Sequence, residues 1–184
     1  MSAVSHVPQF FVHQKFAMTT NRYEVVDPNG QTMAFAEQKR LAFKEEVTFY
    51  SDSSKADKVF SFKARKRMDL NAGYDIFDGA GVQLGYFKKD FGASLMRSTF
   101  QIEGPGFTGT GQERSQLVAI VRRFTDIPFL PIHFDYVSSE GQPLLGIERQ
   151  GSVRDRYTVH VPDPRVDFRV AAAVAVAMDA LMGR

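Results

Sequence analysis

A run of nine consecutive apolar residues, Val170–Met178, lies near the C-terminus. Asp167, placed just before it, can cap the N-terminus of a helix. A helix with no polar face has to be surrounded by apolar groups. A membrane span needs about 20 apolar residues, and here Arg169 and Asp179 bound a much shorter run. The sequence predicts a helix over about 167–182 that the rest of the chain encloses; a membrane span is the alternative.

The region from Gln9 to Val161 reads as β-structure throughout. Short runs rich in β-branched and aromatic residues are interrupted roughly every 8 to 12 residues by Gly, Pro, Asn, Asp or Ser. About twelve strands are predicted from this pattern. They are Phe10–Lys15, Tyr23–Asp27, Thr32–Gln38, Val47–Tyr50, Val59–Arg65, Tyr74–Asp78, Val82–Lys88, Met96–Ile102, Leu117–Arg123, Ile132–Val137, Leu144–Glu148 and Tyr157–Val161.

Three segments of this region repeat one another without a gap. They are YEVVDPNGQTMAFAEQK, YDIFDGAGVQLGYFKKD and FDYVSSEGQPLLGIERQ. Each begins with an aromatic residue and an acid, and each has a glycine seven places on, where a tight turn can require positive φ. The acids are Glu24, Asp75 and Asp135, and the glycines are Gly30, Gly81 and Gly141. The repeat predicts three β-hairpins in one closed or nearly closed sheet, with the acids in turn or cross-strand roles.

The two predictions combine into one fold. A sheet of about twelve strands that closes into a barrel leaves a lumen too wide for its own side chains to fill, and a helix about 10 Å across fits inside it. We therefore expect an all-β antiparallel barrel around the C-terminal helix, as a single domain over 9–184 after a short tail, 1–8. Asp179 would need a partner from a strand or a place near the barrel mouth.

Composition excludes several kinds of protein. The chain of 184 residues has no cysteine, so disulfides, thiolate metal sites and a cysteine nucleophile are excluded. Its net charge of +2 gives no reason to expect nucleic acid as a partner. Residues 1–8 lack the basic and apolar regions of a signal peptide. The expected location is the cytoplasm.

The candidate binding site is the strand FSFKARKR, Phe60–Arg67. Alternation along a strand puts Lys63, Arg65 and Arg67 on one face, roughly 7 Å apart. The segment Lys39–Arg67 carries nine Lys and Arg against four Asp and Glu. Such a face can bind anionic phospholipid headgroups or another polyanion. Candidate extensions of the patch are Lys88, Lys89, Arg122 and Arg123. The alternative is a solvated edge strand that its cations protect from aggregation.

Sites for chemistry are not indicated. The segment Gly104–Gly109 matches G-x-G-x-x-G, but Pro105 within it and the absence of a βαβ pattern favour a loop between antiparallel strands. The sequence has no G-x-S-x-G, P-loop or H-E-x-x-H motif, and its four histidines lack the spacing of metal ligands. We expect a protein without enzymatic activity, cofactor or metal.

Three features carry a resemblance to a known family: the repeated hairpins, the strand DRYTVHV at Asp155–Val161 and the terminal VDFRVAAAVAVAMDAL. Together they are similar to the LURP-one-related proteins, of the tubby C-terminal-like superfamily that also includes phospholipid scramblases. The resemblance covers nearly the whole chain. It implies a twelve-stranded barrel around a buried C-terminal helix, phosphoinositide binding as in the tubby branch, or membrane association as in the scramblase branch.

Three functional hypotheses follow. The first is a non-enzymatic module that binds anionic, phosphoinositide-like headgroups at the inner face of the membrane, without a transmembrane span. The second is a protein-interaction scaffold that does not bind lipid. The third is scramblase-like activity or a small-molecule carrier that uses the lumen. Scrambling is disfavoured by the lack of cysteines and of a long proline-rich tail, and a carrier conflicts with a helix in the same space.

Overall fold

The computed structural model describes residues 5–16, 20–39, 46–65, 73–90, 99–114, 132–150 and 156–182. In this part of the chain twelve strands precede one helix, α1, at Phe168–Met182. The strands are β1 Gln9–Phe16, β2 Thr20–Val26, β3 Thr32–Lys39, β4 Glu46–Tyr50, β5 Lys58–Ala64, β6 Tyr74–Asp78, β7 Gln83–Asp90, β8 Thr99–Gly104, β9 Phe107–Glu113, β10 Ile132–Ser138, β11 Pro143–Gln150 and β12 Arg156–His160.

The strands form a closed antiparallel barrel in which neighbours along the chain are neighbours in the sheet. Closure comes from β1, which pairs with β2 on one side and with β12 on the other. The predicted all-β barrel is therefore confirmed. The junction of β3 and β4 differs from the others, because Phe35 and Tyr50 are its one matched pair among the described residues.

Helix α1 fills the lumen. Of its described side chains, Phe168–Met178, all except that of Arg169 are buried. The helix contacts the inner faces of β1, β5, β6, β7 and β12. The prediction of an enclosed helix is thus confirmed, and in the described residues no helix has the length and apolar character that crossing a bilayer would require. The side chain of Asp179 lies outside the described residues.

The start of α1 is fixed by Asp167, as its position before the apolar run predicted. Its Oδ1 accepts a hydrogen bond from the Arg169 backbone N–H at 2.9 Å, which satisfies one of the free donors of the first turn. Its Oδ2 accepts another from the Ser5 N–H at 2.9 Å. The Phe168 N–H in turn donates to the Ser5 carbonyl at 2.8 Å. The segment before β1 therefore holds the N-terminus of the helix in place.

The three repeated hairpins share one turn, at the barrel end that we call the turn end. In each, a side-chain oxygen accepts hydrogen bonds from the N–H groups two and four residues on, and the predicted glycine has positive φ. The oxygens belong to Asp27, Asp78 and Ser138. The glycines are Gly30 (φ +88°), Gly81 (φ +86°) and Gly141 (φ +78°). The repeat in the sequence is therefore a repeat of turn geometry.

Replacing Gly81 by alanine should lower the free energy of unfolding by about 1 kcal/mol, because a Cβ disfavours this left-handed backbone conformation. A Cβ added at Gly81 would have no atom within 4 Å, so the effect would report backbone conformation alone. Gly81→Asn should cost less, since asparagine tolerates positive φ. Urea unfolding of the two variants measures the difference; equal stability of Gly81→Ala and the wild type would contradict it.

The loop predicted at Gly104–Gly109 does join antiparallel strands, but it is shorter than predicted. The segment Gly104–Gly109 was expected to be a loop, but Pro105 and Gly106 form a tight turn and β9 begins at Phe107. Glycines in β9 hide its strand character, and they serve packing: a Cβ on Gly111 would overlap the Tyr136 ring. The predicted strand Leu117–Arg123 lies outside the described residues.

Candidate functional site

The candidate site lies on the outer wall of the barrel. In β5, Phe60 and Phe62 point into the barrel and are fully buried. Alternation along the strand therefore puts Lys63, and Arg65 just after its end, on the outer surface, where both are exposed. The register places Asp75 opposite Lys63 and Tyr86 opposite Asp75. Lys88 lies two positions beyond Tyr86 on the same outer side. We call these outer residues, Lys63, Arg65, Asp75, Tyr86 and Lys88, the β5–β7 face.

Arg65 is held firmly at one edge of this face. Its Nε donates to both Asp75 carboxylate oxygens, at 2.9 and 3.0 Å, and its Nη2 donates to Oδ1 at 2.7 Å. The guanidinium carbon lies 3.8 Å from the centre of the Tyr86 ring, in cation–π geometry. The hydrogen bond with Asp75 raises the pKa of Arg65 further above its usual value. The Arg65 guanidinium is therefore held in one position and is permanently charged.

Acids accompany the cations of the β5–β7 face. Lys63, which is exposed, is matched with Glu46 on β4 and with Asp75 on β6. Tyr86 is matched with Glu103 on β8. Opposite charges across neighbouring strands attract one another weakly at a solvated surface. The local charge of this wall is therefore close to balanced, although the Phe60–Arg67 segment alone is strongly basic.

The predicted site residues do not all lie together. Lys63, Arg65 and Lys88 share the β5–β7 face, and Lys88 is matched with Gln101 on β8. Lys89 points to the inner side, where its Nζ lies 5.9 Å from the centre of the Phe100 ring. Three further predicted residues lie outside the described part of the chain: Arg67, Arg122 and Arg123.

A second ion-pair cluster repeats this geometry elsewhere on the barrel. Arg114, just after β9, donates to Asp135 from Nη2 at 2.6 Å and from Nε at 2.7 Å. Its Nη1 reaches Glu148 at 3.3 Å. The hydrogen bond from Arg114 lowers the pKa of the Asp135 carboxyl. The repeated acid therefore has the predicted cross-strand role in two hairpins.

In the remaining hairpin, which starts at Tyr23, the acid Glu24 has the same position but a different hydrogen-bond partner. Register places Lys15 diagonally beside Glu24, where the other hairpins have arginine. Glu24 instead accepts a hydrogen bond from the Thr32 hydroxyl at 2.6 Å. The arginine–acid pairs were not predicted from the sequence. A cation at or just beyond the end of the strand before each hairpin (Lys15, Arg65 and Arg114) was the signal that could have found them.

Comparison with protein families agrees with this architecture. The LURP-one-related family model matches residues 32–179, from β3 to within α1. The chain belongs to the LURP-one-related family. The resemblance noted from the hairpins and the terminal helix is thereby confirmed. The match spans the whole β5–β7 face, so in this LURP-one-related barrel the candidate site is part of the family domain. A comparison with curated proteins gives no match.

Proposed function

We propose that this LURP-one-related barrel is a non-enzymatic binding module that recognises anionic phospholipid headgroups through the β5–β7 face. The observation that carries the proposal is the grouping of Lys63, Arg65 and Lys88 on one outer wall formed by three neighbouring strands. Lipid phosphates present negative charge on a surface, and a rigid wall of cations can contact several of them at once.

Arg65 would make the directional contact. Its bonds to Asp75 use Nε and Nη2, which leaves the Nη1 donors to meet a phosphate oxygen. Because Asp75 and the Tyr86 ring already fix the guanidinium, little side-chain entropy would be lost on binding. Lys63 and Lys88 would add attraction as mobile point charges.

The acidic residues on the same wall determine how strongly the β5–β7 face is expected to bind a headgroup. Glu46, Asp75 and Glu103 compete with a phosphate for the cations, so binding should be weak at a single headgroup and should fall as salt is raised. Such a module would stay on the cytoplasmic face of the membrane by contacting several lipid headgroups at once.

The same acids favour a second candidate function. A wall on which cations and carboxylates alternate is complementary to a protein surface with the reverse pattern. The alternative is therefore a scaffold that recognises a protein partner through the β5–β7 face and does not bind lipid.

Cosedimentation with liposomes tests the proposal. The full chain should bind vesicles with anionic lipid and not vesicles of neutral lipid alone. Lys63→Ala with Lys88→Ala should weaken anionic binding by roughly 30-fold, because each lysine near such a surface contributes about 1 kcal/mol. Lys55→Ala with Lys58→Ala is the matched control, since it removes the same charge from the exposed β4–β5 hairpin at the turn end.

Each outcome separates the two candidates. Loss of binding in the Lys63/Lys88 variant alone supports headgroup recognition by the β5–β7 face. Equal loss in both variants would show a response to net charge and would contradict a defined site. No binding by the wild type, together with a crosslinked protein partner that only the Lys63/Lys88 variant loses, would establish the scaffold.

A further inference from the structure

The tip of the β2–β3 hairpin presents an asparagine followed by a glycine to solvent. Asn29 and Gly30 are both exposed, and Asn29 is the one asparagine in the sequence that a glycine follows. A Cβ built on Gly30 would have no described atom within 4 Å, so there is open space beside this peptide bond. Water and the Asn29 side chain can both reach it.

An asparagine followed by glycine can lose ammonia without an enzyme or cofactor. The Gly30 nitrogen attacks Asn29 Cγ, and a new C–N bond forms as the bond from Cγ to Nδ2 breaks. The proton of the Gly30 N–H leaves with Nδ2 as ammonia, and a five-membered succinimide ring remains. Water then adds to one of the two ring carbonyls and opens the ring to aspartate or isoaspartate. Glycine favours the attack because it has no side chain to obstruct it and a wide backbone freedom.

The turn holds both reacting groups in hydrogen bonds to Asp27. The Gly30 N–H donates to the Asp27 carbonyl oxygen at 3.0 Å. The Asn29 Nδ2 donates to Asp27 Oδ2 at 3.3 Å. The Gly30 nitrogen can attack only after it gives up its proton, and the Asn29 side chain must leave Asp27 to meet it. Both bonds therefore have to break before the reaction.

The Asp27 carboxylate is the anchor of this turn. Its Oδ1 accepts hydrogen bonds from the Gln31 N–H at 2.8 Å and from the Asn29 N–H at 2.9 Å. These bonds, that from Gln31 foremost, hold the pKa of Asp27 below its usual value, so the group is ionised at neutral pH. A negative charge so close to Gly30 also disfavours loss of a proton from its nitrogen, because that loss creates a second negative charge.

We propose that Asn29 is a site of deamidation whose rate is set by Asp27. The closed turn protects the Asn29–Gly30 bond, and the reaction proceeds when the tip of the hairpin opens. Isoaspartate would add one methylene to the main chain, so the hydrogen bonds to Asp27 could not all form again. Deamidation would therefore loosen the turn and add one negative charge to it.

The other two repeated hairpins have the same turn without the reactive asparagine. In the β6–β7 hairpin Asp78 Oδ1 accepts the two equivalent backbone hydrogen bonds, and Ala80 stands in the place of Asn29. In the β10–β11 hairpin Ser138 Oγ accepts them, and Glu140 stands in that place. The first hairpin supplies a matched control for loss of the anchor, and the second shows that serine can replace it.

Incubation of the full chain in mildly alkaline buffer tests the proposal, with peptide mapping by mass spectrometry to follow the conversion of Asn29. Asp27→Ala should speed the conversion by about tenfold, because the hydrogen bonds that close the turn lose their charged acceptor. Asp27→Ser should give a rate between that of the wild type and that of Asp27→Ala. Asp78→Ala, which removes the same anchor from the β6–β7 hairpin, should leave the rate at Asn29 unchanged.

The unfolded wild type in denaturant gives the rate without protection. Faster conversion in Asp27→Ala but not in Asp78→Ala, with both proteins folded by circular dichroism, supports the site. If Asp27→Ala does not fold, the same comparison is made with Asp27→Ser. Three results overturn the proposal: no conversion of Asn29 in any of these proteins, equal rates in the wild type and the Asp27 variants, or equal acceleration by Asp78→Ala. The β2–β3 hairpin is not part of the β5–β7 face, so these results are independent of headgroup binding.

Discussion

Ala173→Asp is expected to abolish folding of the barrel. Ala173 lies in the middle of α1 and is fully buried, among helix residues that are apolar on every side. A carboxylate there would be desolvated without a partner, at a cost of about 5 kcal/mol or more. Since domains of this kind are stable by only about 5–15 kcal/mol, the variant should be insoluble or lack cooperative unfolding in circular dichroism.

Two other variants keep this prediction falsifiable. Ala80→Asp adds the same charge at an exposed hairpin tip and should unfold like the wild type. Val174→Ala shortens a fully buried side chain of α1 without adding charge. It should remain folded and lose about 2 kcal/mol, equivalent to a fall of roughly 4–8 °C in Tm. A well-folded Ala173→Asp protein would refute the enclosure of the helix.

Gly85→Val should give the second largest effect. Gly85, on β7, faces the lumen beside Val170 of α1. A Cβ built there lies 2.5 Å from the Glu103 carbonyl oxygen and 3.3 Å from Val170 Cγ2. The first contact involves backbone, which cannot move aside cheaply. Overpacking of this kind costs about 3 kcal/mol, so thermal unfolding should show a Tm lowered by roughly 6–12 °C.

Gly146→Val is the matched control for this position. Gly146 also lies inside a strand, β11, but a Cβ there meets its nearest atoms, on Asp135 and His160, at 3.8 Å. That distance is an ordinary contact, and valine favours strands. The change should therefore shift stability by less than about 1 kcal/mol. Similar Tm values for the two variants would mean that the close approach of β8 and α1 to Gly85 does not limit packing.

The fold was predictable because its signals are local. A helix with nine successive apolar residues demands enclosure, and glycines such as Gly30 and Gly81 mark turns within a few residues of the strands they connect. β9 was not predicted, because its glycines are required by contacts with residues distant in the sequence: Gly111 with Tyr136 and Gly109 with Leu144. Local pattern carries no information about such a contact.

The candidate site was predictable only in part, for the same reason. Alternation within β5 correctly put Lys63 and Arg65 on the outer side. It could not show that Asp75 would bind Arg65, because that contact depends on the register between β5 and β6. Nor could adjacency of Lys88 and Lys89 indicate one patch, since neighbours in a strand face opposite ways.

The order of elements along the chain has a consequence for biosynthesis. A ribosome makes β1 before α1, yet β1 is completed by pairing with β12, and Ser5 is bound by Asp167 at the start of the helix. The pairing of β1 therefore cannot be completed until β12 has been made, and the lumen stays unfilled until α1 is available. The native barrel can therefore form only once α1 has been made and the strands can close around it.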